Sequence, residues 1–167
     1  MREHDTEAAV SPPSSYQDWL DCFERMRKEP FSAVQDFEAA AAGTFQGTPA
    51  MTAALERQLI DTVNALLDRY TRRFIRHLNG CLADGAYEQL DLYFRRLRND
   101  VRRVLFFRSL SFLPEDFRTE LYGGVKKQME DFWQETVGFL RQQSLEAVLS
   151  ELEDALLVIR RIKLFTE

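Results

Sequence analysis

Residues 69–108 contain two basic runs, RYTRRFIRHL (69–78) and YFRRLRNDVRRVLFFR (93–108), joined through NGCLADGA (79–86), and hold ten of the chain's eighteen arginines. Apolar residues recur through both runs at helical spacing. Tyr70, Phe74 and Leu78 extend one stripe, and Leu90, Tyr93, Phe94, Leu97, Val101, Val104 and Leu105 make another. The stretch therefore reads as two long helices folded back on each other, an antiparallel hairpin. At about 100° per residue, Arg69, Arg72, Arg73 and Arg76 share one sector of the first helix, away from its stripe. Arg95, Arg98 and Arg102 lie opposite the apolar face of the second, with Arg96 and Arg103 on a flank. Folding back brings the two arginine groups to similar heights. Leu92 and Phe106 project toward the arginine side, where a merely solvated face has no use for them.

Outward from the hairpin, the other segments also carry helical signals. Thr48 and Pro49 form a cap and first-turn pair, so the first hairpin helix is expected over 50–79, with its C-terminal stop at Gly80. The second is expected over 86–110. Upstream, Ser14 or Ser15 caps a short helix with Tyr16, Trp19, Leu20, Phe23 and Met26 on one face, stopped by Pro30. A second short helix starts at Ser32, buries Val34, Phe37 and Ala41, and ends at Gly43. Downstream, Pro114 opens a helix over 115–142 whose apolar residues, Phe139 among them, keep phase across Gly123-Gly124. The last helix, 145–165, places Leu145, Val148, Leu152, Ala155, Ile159 and Ile162 at heptad positions, while Leu157 and Val158 sit off that face. The expected fold is all-α. Four long helices form an antiparallel bundle, two short N-terminal helices pack across it, and a polar tail (1–14) precedes one domain (15–167).

Composition narrows the classes of function. Net charge is −5, but residues 69–108 alone are +6, which leaves −11 for the remainder. An acidic chain with one basic surface suits a local acidic partner better than general nucleic-acid binding. Two cysteines without a recognisable spacing point to reduced thiols and a cytoplasmic setting. The N-terminal MREHDTEAAV lacks the apolar core of a secretory signal, and no apolar run is long enough to span a bilayer.

Chemistry is hard to find. The two histidines, His4 and His77, have no metal-ligand spacing around them, so no metal or cofactor is expected. Cys81 follows His77 by four residues, the least an activated thiol needs, but no third orienting group accompanies the pair. The acidic pairs Glu115-Asp116, Glu130-Asp131 and Glu153-Asp154 are solvated helix faces. No phosphate-binding glycine loop is present. The sequence thus points to a non-enzymatic interaction, adaptor or regulatory protein. Its expected contact surface is Arg69, Arg72, Arg73, Arg76, Leu92, Arg95, Arg98, Arg102 and Phe106, facing an acidic protein or a second copy in a homodimer. Other readings of the arginines are a plain solvated face and a phosphate grip on nucleic acid. A bundle that binds an apolar ligand among its thirteen Phe and five Tyr is a further class.

Overall fold

The computed structural model describes residues 10–28, 34–147 and 149–165. Among them the chain is helical, with no strand. The order is α1 (Tyr16–Lys28), α2 (Val34–Ala41), α3 (Pro49–Asp84), α4 (Leu90–Val104), α5 (Glu115–Ala147) and α6 (Ser150–Ile159). Short 3-10 turns, Tyr87–Gln89 and Leu105–Ser109, flank α4. Most of the expected N-terminal tail, the stop at Pro30, the cap at Ser32 and the heptad place of Val148 lie outside the described residues, as does the side chain of Val34.

α1 begins with a reciprocal cap. The Asp18 N–H donates to Ser15 Oγ at 3.0 Å, and the Asp18 carboxylate accepts from the Ser15 and Ser14 N–H groups at 3.1 and 3.2 Å. Just before it, Pro13 is buried and its carbonyl accepts the Thr44 N–H at 3.0 Å. Trp19, Cys22, Phe23 and Met26 face inward.

α3 is the longest element, at 36 residues. Thr48 caps it by accepting the Met51 N–H at 3.3 Å, with Pro49 in the first turn. The expected stop at Gly80 is overturned. Gly80 lies on the solvent side of an uninterrupted helix, and Cys81 continues the buried stripe beyond Leu78. The stop falls at Gly85, whose φ of +67° is the left-handed cap that glycine adopts cheaply. The connection to α4 is correspondingly short.

The expected second hairpin helix over 86–110 is also corrected. Regular α-helix is confined to Leu90–Val104, with a tightened turn at either end. α3 and α4 run antiparallel: Arg73 meets Asp100 and His77 meets Tyr93 across their contact. Between them the Phe74 and Phe94 rings stand edge to face at 4.9 Å, and Phe94 meets Trp133 of α5 at 4.8 Å. Phe94 is fully buried, so truncating it to Ala would cost about 3–5 kcal/mol.

α5 is one helix straight through Gly123-Gly124, as the phase required. Its buried stripe is Val125, Met129, Trp133, Val137, Leu140 and Ser144. Phe139, expected inside, is 47 % exposed because Val137 and Leu140 fill that turn. The expected last helix over 145–165 is wrong at both ends. α5 extends to Ala147, leaving Leu145 68 % exposed one step past Ser144, and α6 spans only 10 residues. Leu152, Ile159 and Ile162 are buried as expected, the last in a non-helical segment. Leu157 and Val158 remain exposed.

Candidate functional site

The arginines of α3 and α4 do not form one uniform face. One group is structural. Asp100, 6 % exposed, receives Arg73 from α3 and Arg103, 3.4 Å away, from its own helix. Burial pushes the Asp100 carboxyl above its ordinary range, and Arg73 and Arg103 pull it back only in part. The Arg73 guanidinium also lies 5.3 Å from the centre of the Tyr70 ring. Arg69 crosses to α1 and donates to the backbone carbonyl of Arg27, near the hydrogen bond from Arg27 to Gln58 at 2.8 Å. Arg69 and Arg73 thus tie helices together.

A second group is exposed. The solvent side of α4 exposes Leu92, Arg95, Arg96, Asn99 and Arg102, with Arg98 half-buried beside them, and Leu92 is 51 % exposed. Arg95 has a loose partner in Asp91 at 3.7 Å. Arg96 lies 5.7 Å over the Tyr93 ring. Among the described residues, Arg98 reaches only the neighbouring Asn99 side chain, at 3.4 Å, and Arg102 only the Lys163 carbonyl, at 3.5 Å. Desolvation, and then repulsion from Arg102 and Arg95, lowers the pKa of Arg98. Three guanidiniums one helical turn apart therefore repel each other with little acid between them. On α3, Arg72 pairs with Asp68 at 3.1 Å and Arg76 stands exposed.

Phe106 is displaced from the surface where the sequence put it. The helix tightens to a 3-10 turn at Leu105, which rotates Phe106 into the core at 7 % exposure, 6.0 Å from Phe37 of α2. Leu92, inside the regular part of α4, keeps its expected place. Sequence reasoning overlooked Arg108 and Arg118, whose neighbours come together only in the fold.

His77 stacks on Tyr93 and is held below its ordinary pKa by desolvation and by Arg96, Arg73 and Arg76. Cys81 sits in α3 rather than in a turn. Burial raises its thiol pKa and Glu88 and Asp84 raise it further, the reverse of an activated nucleophile. Cys22 is pushed up to about 11, chiefly by burial. Among the described residues, no three His, Cys, Asp or Glu side chains gather as a metal site. Nor is any helix there long and apolar enough to cross a membrane. No protein-family model, curated protein or solved structure matches the chain.

Proposed function

We propose that this protein is a non-enzymatic interaction module, an antiparallel helical bundle that presents the solvent face of α4 to an acidic protein surface. One observation carries the reading: Leu92 stands half-exposed on the helix that also bears Arg95, Arg98 and Arg102, and among the described residues the one carboxylate paired with these arginines is Asp91, 3.7 Å from Arg95. An exposed apolar residue on a helix face rich in guanidiniums is the composition of an interface core. The docking set is Arg76, Leu92, Arg95, Arg98 and Arg102. Arg73 joins α3 to α4, Arg69 ties α3 to α1, and Phe106 packs in the core against Phe37. The acidic remainder of the chain makes a second copy one eligible partner, as a homodimer. Two buried free thiols suit a reducing, cytoplasmic compartment.

The test is sedimentation velocity of the full chain at low and high salt, alone, with an acidic helical protein as probe, and with a random DNA duplex. A complex with itself or with the acidic probe, lost in Arg95→Glu/Arg102→Glu and weakened by Leu92→Asp, supports the reading. A chain that stays monomeric and shifts only onto DNA, and only at low salt, moves the same arginines to phosphate binding.

A further inference from the structure

A second basic site lies past the end of α4. The end of α4, the 3-10 turn Leu105–Ser109, Tyr122 of α5 and Phe165 line a cleft of about 370 Å³. That is within the range of ordinary small-ligand pockets, about 300–1,000 Å³. Leu105, Phe106, Tyr122 and Phe165 make an apolar wall, with the Tyr122 and Phe165 rings edge to face at 6.2 Å. Arg102 and Arg108 line the same cleft.

Arg102 is shared with the α4 docking face, whereas Arg108 belongs to this cleft alone. Arg108 lies 4.0 Å over the centre of the Tyr122 ring, which covers the guanidinium face and leaves its edge N–H groups to address a ligand. Arg118 brings a third guanidinium close, donating from Nη1 to the Arg108 carbonyl at 2.9 Å, while its Nε is buried without a hydrogen-bond partner. Among the described residues no carboxylate pairs with Arg102, Arg108 or Arg118. Ser109 is committed to the frame, its hydroxyl bonded to the carbonyls of Ala41 and Phe106 at 2.9 and 3.0 Å. An anionic head is therefore met by arginine and not by serine.

We propose that this cleft binds a small organic anion, with a carboxylate or phosphate head between Arg102 and Arg108 and an aromatic or alkyl body on the Tyr122–Phe165 wall. Charge neutralisation favours the head, because each guanidinium offers paired donors that carboxylate and phosphate both match. Burial of the body against the rings supplies the rest.

Isothermal titration of the full chain with 3-phenylpropionate, phenyl phosphate and the neutral 3-phenylpropan-1-ol tests the site and separates the two head groups. The expected result is saturable one-site binding of at least one anion, no measurable binding of the alcohol, and at least about tenfold weaker binding in Arg108→Gln. Arg102→Gln reads the same head without disturbing the Tyr122 stack, should Arg108→Gln fold poorly. Arg95→Glu, outside the cleft, should leave the anion affinity unchanged, which separates this site from the α4 docking face. Failure of both anions to saturate overturns the proposal. So does equally tight binding of the alcohol, or unchanged affinity in a folded Arg102→Gln variant.

Discussion

The imidazole of His77 lies flat against the ring of Tyr93, with centroids 4.6 Å apart and planes 7° from parallel. The contact joins α3 to α4 where Arg73, Arg76 and Arg96 surround it, so a proton on His77 would be placed among three like charges. In the unfolded chain His77 takes its proton near the ordinary 6.5, whereas the folded chain holds its pKa lower. Stability is therefore complete above that range and falls as acid charges the unfolded chain first. Chemical denaturation at about pH 7.5 and about pH 5.5 should show the wild type losing more stability on acidification than His77→Phe, which keeps a stacked ring without a proton. Equal losses in the two proteins would refute the assignment.

Asp100 offers a contrast, because its two arginine partners do not fully offset its burial. Asp100→Ala should destabilise by about 3 kcal/mol, since it leaves the mostly buried Arg73 without its carboxylate. The double variant Arg73→Met/Asp100→Leu should recover much of that loss. Apolar side chains of similar size fill the site with no charge to desolvate. Urea melts of Arg73→Met, Asp100→Leu and the double variant measure it, and additive losses would argue against a desolvation-limited pair.

The arginine hairpin was legible because its two periodicities are local. Tyr70, Phe74 and Leu78 on one strip, and Leu90, Phe94, Leu97 and Val101 on the other, are buried as the spacing required. The helix ends were not legible, because several positions offered the same stop signal. Gly80 and Gly85 look alike in sequence, yet only Gly85 takes the left-handed backbone, since Cys81 has a buried place to fill. Phe106 was misplaced because a 3-10 turn changes the rotation per residue, and its apolar partner, Phe37, is remote in sequence. Leu145 was misread for a related reason. A heptad beginning there could be either the start of α6 or the tail of α5, and Ser144 had already taken the buried position. The Arg102–Arg108 cleft depends on Tyr122 and Phe165, which only the tertiary fold brings near.

Docking through α4 predicts that the exposed arginines are held against stability. Arg98 sits three residues after Arg95 and four before Arg102; desolvation first, and then repulsion from Arg102 and Arg95, lowers its pKa. Arg98→Glu converts both neighbours into attractive pairs, each worth about 0.2–0.5 kcal/mol on a helix surface. The variant should therefore melt at the same temperature as the wild type or slightly higher, while losing the acidic partner. Thermal melting and sedimentation on one sample check both halves. A less stable variant, or a more stable one that docks normally, contradicts the trade.

The glycines separate close packing from free space. A methyl group at Gly43 would lie 2.5 Å from the Trp19 indole, which is fully buried, hydrogen-bonded to the Thr44 carbonyl at 2.9 Å and packed on Phe112. The ring has nowhere to retreat. Gly43→Ala should cost about 1–3 kcal/mol by overpacking. At Gly123 and Gly124 an added methyl meets nothing within 4 Å, although both lie inside α5. There the substitution mainly removes backbone freedom from the unfolded chain, so each Gly→Ala should stabilise by about 1 kcal/mol. Gly124 also borders a cleft of about 330 Å³ between α3 and α5, beside Ile60 and Val125. If that cleft is only a packing defect, Gly124→Ala and Gly123→Ala should raise the melting temperature equally. A smaller gain at Gly124 would mean that α5 closes onto α3 there in solution, and would be read directly as the difference between the two melting curves.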